Sequence, residues 1–392
     1  MRRLVCVIFS FVSVLCMGIA QADHPLIDLA RKIPANANGT IVLNDVAASR
    51  RQLSAVYATD ADMPDARLMA FTPLHLPDGF DEMFLPYAAD LELERRLGFS
   101  PLEIDQIGGW GRAPNVAVII RGDVIAKSAT TIPSALQAWG HRQRVFQDGL
   151  VYWRLSDDEL DRDMRNLGPF TGGEGYPTRF LVGGEWLLTA RTWPALSLTA
   201  DSGRGLTGDS AARALLEAAV TADVQGELLS VQMKGPQIPR NDAIPMLLGV
   251  GATAEHVRAL RLILQEIDVP TLPYFTRHAV LLWQDGTAFT AALAMTYPDR
   301  ASAAEALQAL DEGLRTMPVL VGFGERHVGD VLPRDRSTQI VETQTGTVAM
   351  MMFSASLAGT DPRHLTRFLK NPAHALRALM VTRKLDLLLS GS

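Results

Sequence analysis

Four times along the chain, two runs of apolar or alternating residues are separated by a tight glycine-containing turn, the pattern of a β-hairpin. Residues 144–147 and 150–155 flank Asp148-Gly149, and residues 179–182 and 186–190 flank Gly183-Gly184. In the second half, 278–283 and 287–296 flank Asp285-Gly286, and 339–343 and 347–353 flank Thr345-Gly346. Helical periodicity falls between the hairpins. Leu307, Leu310 and Leu314 recur at i, i+3 and i+7 across 301–315, with Asp299 placed to cap the helix, and residues 210–220 follow a capping Asp209. Ser156-Asp157-Asp158-Glu159 has the form of a capping box and predicts a helix after the first hairpin. Asp361-Pro362 and Asn371-Pro372 predict two short helices near the end.

Antiparallel hairpins interleaved with helices imply an α+β fold, hairpin-rich sheets layered with helices, rather than a parallel doubly wound sheet. Residues 115–155 read strand, helix, hairpin, and 287–353 repeat that order with a longer connection, so two similar lobes are expected. The boundary is set at 225/226, ahead of a strand over 227–233. It divides an N-terminal lobe (23–225) from a C-terminal lobe (226–360), followed by a basic helical tail (361–392).

The first 22 residues differ from the rest. Arg2 and Arg3 precede an apolar run from Leu4 to Ala20, and Ala20-Gln21-Ala22 has the small-x-small form that a signal peptidase accepts. Export with cleavage after Ala22 is expected, giving a periplasmic or secreted product. A retained anchor is the rival, but Ser10, Ser13 and Gly18 interrupt a run that barely reaches the roughly 20 apolar residues a span needs. Leu15 before Cys16 speaks against a lipid-anchoring site.

Composition narrows the function classes. The chain of 392 residues carries 43 acidic against 37 Lys and Arg side chains, a net charge of −6, and two cysteines. Both cysteines and two arginines lie in the leader, so the mature chain would have net charge −8 and no thiol. Disulfide scaffolds and thiol nucleophiles are thereby excluded, and an acidic body argues against nucleic acid as a partner. The tail reverses the sign: residues 361–392 hold six basic and two acidic side chains beside an apolar stripe. Such a segment either docks on the acidic body or makes peripheral contact with an anionic membrane.

Local motifs for chemistry fail one by one. There is no Gly-x-Ser-x-Gly elbow, Ser-x-x-Lys pair or His-Glu-x-x-His helix, although a triad dispersed over loops needs no local motif. Gly249-Val250-Gly251-Ala252-Thr253-Ala254 matches a loose dinucleotide form but lacks a convincing strand before it, so a plain turn before a helix is expected. Glu325, His327 and Asp330 are spaced as metal ligands without a second cluster to support them, and Asp157, Asp158, Glu159, Asp161 and Asp163 lack the spacing of a calcium loop. Arg121-Gly122-Asp123 directly follows an apolar strand, where a turn is expected anyway. Gly108-Gly109-Trp110-Gly111-Arg112 stands out, because an indole and a guanidinium among glycines cannot bury themselves locally, and both types are enriched at binding hot spots. The alternative is that Trp110 tucks into the core beside Leu102 and Ile107.

Ile33-Pro34-Ala35 leading into residues 40–43, Leu97-Gly98-Phe99-Ser100-Pro101-Leu102-Glu103-Ile104-Asp105, and Trp110-Gly111-Arg112-Ala113-Pro114-Asn115 before Arg121-Gly122-Asp123 carry a resemblance. They are similar to a family of uncharacterised exported bacterial proteins, over the first half and loosely around Tyr297-Pro298-Asp299. The resemblance implies export and an α+β body and supplies no catalytic residue. The expectation is an exported, non-catalytic binding or envelope-associated module, with Trp110 and Arg112 as contacts, no cofactor or metal, and a small molecule or envelope protein as partner. The rival classes are a periplasmic hydrolase with a dispersed site and a membrane-surface scaffold using the tail.

Overall fold

A computed structural model describes residues 24–57, 70–71, 73–74, 91–112, 115–146, 149–163, 175–197, 205–248, 253–266, 270–316, 328–356, 376 and 388–391. The leader, the Gly-x-Gly run at 249–252, Glu325 and His327, and both predicted closing helices lie outside the described residues.

Among the described residues twelve strands form one antiparallel sheet. In chain order they are β1 (Thr40–Asp45), β2 (Gln106–Arg112), β3 (Asn115–Arg121), β4 (Arg142–Phe146), β5 (Gly149–Trp153), β6 (Arg179–Val182), β7 (Trp186–Ala190), β8 (Glu227–Lys234), β9 (His278–Asp285), β10 (Ala288–Tyr297), β11 (Arg336–Glu342) and β12 (Thr347–Ser356). All four hairpins expected from the turns are present, as β4–β5, β6–β7, β9–β10 and β11–β12. The spatial order is β11-β12-β10-β9-β8-β1-β2-β3-β7-β6-β5-β4. Outward from the middle, the second half therefore runs first, second and third strand, then the final hairpin reversed (β8-β9-β10-β12-β11). The first half repeats that order (β1-β2-β3-β7-β6) and adds β5-β4 at the rim. The hairpin corresponding to β11–β12 is thus β6–β7, not the β4–β5 pair singled out from the sequence. The expected boundary falls just ahead of β8, which pairs with β1 from Ile41↔Met233 to Asn44↔Ser230, so the sheet is continuous across it.

Both faces of the sheet are covered, because alternate strand residues are apolar on each side. On one face, helices α1 (Pro25–Ala30), α6 (Trp193–Ser197) and α7 (Ser210–Thr221) pack over Ile41, Leu43, Ala117, Ile119, Leu281, Ala292 and Met350. On the other lie α2 (Val46–Tyr57), α3 (Leu91–Leu97), α4 (Asp123–Ser128), α5 (Thr131–Ala138), α8 (Arg240–Leu248), α9 (Ala254–Glu266) and α10 (Arg300–Thr316), over Ile107, Val118, Ile120, Val280, Leu293, Met351 and Phe353. The α+β expectation holds, as layers on a single sheet.

Helix α10 forms where its leucine stripe predicts: Ala303, Ala306, Leu307, Leu310 and Leu314 are buried, and Asp299 accepts the Ser302 N–H at 2.8 Å. Helix α7 is buried on most sides, which its alanines permit. Its Glu217 is held by the Arg213 Nε at 2.7 Å and the Gln344 N–H at 3.3 Å. The stretch before the former Gly-x-Gly motif is helix α8 rather than a strand, so the βαβ setting a dinucleotide needs is missing. The Ser156–Glu159 box does form its bond, Ser156 N–H donating to Glu159 at 2.7 Å, yet the described residues 157–163 that follow are not helical. Asp157 and Asp161 are drawn instead into ion pairs with Arg179 and Arg154, which hold the segment as a turn. The described end of the tail packs inside: Leu376, Leu388, Leu389 and Ser390 are buried, and Gly391 exchanges backbone hydrogen bonds with Ile238 and Arg240 at 3.1 and 3.0 Å.

Candidate functional site

The glycines around Trp110 serve packing. Gly108 lies beneath α1, where a Cβ would stand 3.3 Å from both Leu29 and Ile33. Gly111 has φ +112°, and a Cβ there would reach 2.0 Å from the Asn115 carbonyl oxygen of β3. Close approach of helix and strand thus turns a glycine-rich run into one of the two central strands of the sheet. Trp110 pairs across to Ile41 and Ala117 and is 2% exposed. Its indole joins the core under α1 and α7, on the opposite face from Leu102 and Ile107. Arg112 ends the strand and is exposed. The two candidate contacts therefore do not form a joint surface: one is interior and the other stands at the rim.

A concentration of aromatic and cationic side chains among the described residues was not singled out from the sequence. It lies where the sheet ends at β4. Register places Arg142 opposite Trp153, and Trp153 opposite Arg179, so a cation–aromatic–cation row crosses β4, β5 and β6 on one face. The Arg142 guanidinium lies 4.3 Å from the Trp153 ring. Arg144, two residues on and hence on the same face, lies 5.0 Å from Trp193 at the start of α6, and Arg179 lies 5.2 Å from that same ring. Trp153 meets Trp193 nearly perpendicularly at 6.0 Å, and Phe146 completes the group at 5.5 Å from Trp193. Each such cation–ring contact contributes roughly 0.5–1 kcal/mol at an exposed position.

One arginine of the three is structural. The Arg179 side chain is fully buried, donating to Asp157, to the Arg191 carbonyl and, at 3.2 Å, to the Leu155 carbonyl. Burial lowers its pKa, and the Asp157 charge opposes that. Asp157 also accepts the Trp193 N–H at 3.4 Å, which ties the start of α6 to the β6 arginine and fixes the indole over β4. Arg142 and Arg144 are different: both are exposed, and among the described residues no carboxylate pairs with either. The opposite face of the same hairpin carries an exposed apolar pair, Val145 at 73% and its cross-strand partner Leu150 at 40%.

Beneath that hairpin, on the second face, His141 packs at 5.0 Å from Trp139 and 5.3 Å from Phe180. Burial, reinforced by the Arg154 charge, pushes its pKa down to about 4, and its Nδ1 lies 3.2 Å from the Leu136 carbonyl. His278 is likewise buried, edge-on to Phe275 at 5.5 Å, and burial followed by the Lys234 charge pushes it to about 3. Both are neutral, packed imidazoles. Among the described residues no group of His, Asp or Glu is arranged to hold a metal ion.

A cleft of about 650 Å³ opens elsewhere, lined among others by Asn36, Asp209, Ser210, Pro236, Thr276 and Arg277. Its charges are already matched. Asp209 caps α7 through the Ala212 N–H at 2.9 Å and receives Arg277 through Nε at 3.0 Å and Nη2 at 2.7 Å. Burial works to raise the Asp209 pKa, but the bonds from Arg277 and Ala212 outweigh it and hold the carboxyl below its usual range. The cleft is organised to hold β9 against α7 rather than to present a free charge.

No family model matches the chain, and no curated protein matches it. Solved structures similar to it include TP0453 in crystal form I, at 9% identity and a TM-score of 0.35, with 94% of this chain and 99% of that chain covered. The same protein in crystal form III aligns at 9% identity and a TM-score of 0.34, covering 85% of this chain and 95% of that chain. Among the described residues no helix is long and apolar enough to cross a membrane.

Proposed function

We propose that this chain is an exported, non-catalytic binding protein whose contact surface is the free edge of its sheet at β4. The observation that carries the reading is the pair Arg142 and Arg144, placed over the rings of Trp153 and Trp193 on a strand that, among the described residues, ends the sheet. Arginine and tryptophan are the residue types that dominate binding energy when a partner excludes water from them. Stacking on the rings restricts the guanidinium groups before any partner arrives, which lowers the entropy lost on binding. A dispersed hydrolytic site finds less support, because His141 and His278 are packed against rings as neutral side chains instead of standing beside a nucleophile. The tail as a membrane contact also finds less support, because its described end is buried in the core.

The test is native mass spectrometry of the protein purified from its own host, wild type against an Arg142→Ala/Arg144→Ala variant. A co-purifying component carried by the wild type and lost from the variant is expected. Retention of that component at an unchanged level, or a wild type that carries none, overturns the reading.

A further inference from the structure

We infer that the β4 edge takes an extended acidic segment of another protein, added to the sheet as one more antiparallel or parallel strand. This rests on the reading of β4 as the contact edge and names the chemistry of what it contacts.

Among the described residues the sheet ends at β4, and no described strand pairs with the outer backbone N–H and C=O groups of Arg142–Phe146. An incoming strand satisfies them with main-chain hydrogen bonds, and its side chains decide specificity. Strand residues two apart share a face at a spacing of roughly 6.5–7 Å. Arg142 and Arg144 have that relation, so carboxylates at alternate positions of the incoming strand meet both. A guanidinium stacked on an indole keeps its planar N–H edge available, and that edge accepts a carboxylate in bidentate fashion. On the other face, an apolar residue between the two acids extends the exposed Val145–Leu150 pair. The expected segment thus alternates acidic and apolar residues.

Charge also decides against a second copy of this chain. Two β4 strands paired antiparallel with their arginines on one face would set arginine against arginine across the new ladder, and like charges directly opposite are destabilising. The net charge of −6 further means that the chain as a whole does not attract polyanions, so binding of an acidic segment calls on local cations such as Arg142 and Arg144.

The experiment uses a fluorescein-labelled nine-residue peptide alternating Glu and Val, the same peptide with Lys for Glu, and the Glu peptide N-methylated at alternate residues. Anisotropy titrations are paired with hydrogen exchange over residues 142–146. Saturable binding of the Glu peptide with slowed exchange in β4 is expected, weakened about tenfold or more in Arg142→Ala/Arg144→Ala and further by salt. The Lys and N-methylated peptides are expected not to bind. The methylated control needs no protein variant, so a folding defect cannot imitate it. The inference is overturned if the Glu peptide binds without protecting β4, or binds the arginine variant equally well. It is also overturned if the peptide stays unbound while phosphatidylglycerol vesicles or a concentration-dependent dimer engage Arg142 and Arg144. Loss of the host-derived component from the arginine variant keeps the contact-edge reading standing even then, and its retention removes both.

Discussion

Gly313, in the last turn of α10, lies directly under Leu388. A Cβ built on Gly313 would stand 2.6 Å from Leu388 Cδ1 and 3.9 Å from the Pro270 ring, and Leu388 is 1% exposed. Two substitutions here should be coupled with a reversal of sign. Leu388→Ala alone removes a buried side chain and leaves a cavity, at a cost of about 2–5 kcal/mol. Gly313→Ala alone gains about 1 kcal/mol of helix propensity but overpacks against Leu388, which costs about 1–3 kcal/mol, so it should be neutral to destabilising. In the Leu388→Ala background the overlap is gone and the new methyl fills part of the cavity. There the same substitution should stabilise by about 1 kcal/mol or more. Urea unfolding of the wild type, both single variants and the double variant, fitted with a common slope, yields the interaction energy. If Gly313→Ala has the same effect in both backgrounds to within about 0.5 kcal/mol, Leu388 does not pack on α10 and the tail is not part of the core.

The buried histidines predict a dependence on acid. Folded-state values near 3 for His278 and near 4 for His141, against 6.5 when unfolded, mean that the unfolded chain binds these protons first. Their contribution is complete above pH 6.5 and is lost as pH falls below it, roughly 3 kcal/mol each by pH 4; His278→Phe should flatten the fall in the urea midpoint between pH 7 and 4, and an unchanged slope would refute the burial. Trp110→Ala should cost about 3–5 kcal/mol while leaving any β4 ligand bound, whereas Arg112→Ala should stay within about 0.5 kcal/mol in the same unfolding assay. Ser230 donates to Asn44 at 2.6 Å in the buried middle of the sheet, so Ser230→Ala should cost about 1–3 kcal/mol by removing that bond from the Asn44 Oδ1, and an Asn44→Val partner change should recover part of it.

What could be read in advance was local. The hairpins were legible because a glycine turn and alternation are both encoded within a dozen residues, and α7 and α10 because cap and stripe lie together. Strand β2 was not, since Gly108, Gly109 and Gly111 weaken a strand in isolation; it exists because β1 and β3 flank it and α1 needs the space. The capping box at Ser156 failed for the converse reason: its local signal is intact, but Asp157 and Asp161 are claimed by arginines on or beside neighbouring strands. The β4 cluster joins Arg142, Trp153, Arg179 and Trp193, which are unremarkable in sequence and meet only through register. A turn at Asp148-Gly149 sets Arg144 against Trp153, whereas the observed pairing of Phe146 with Gly149 shifts the register by two and sets Arg142 there.

The pairing of β1 with β8 also sets a schedule. About 180 residues separate the end of one strand from the start of the other, so at a synthesis rate of about 5–20 residues per second the inner margin of the first half waits roughly 10–40 seconds for its cover. During that interval a nascent chain offers Thr40–Asp45 as an open template to any passing extended polypeptide, and a holding chaperone has a defined place to act.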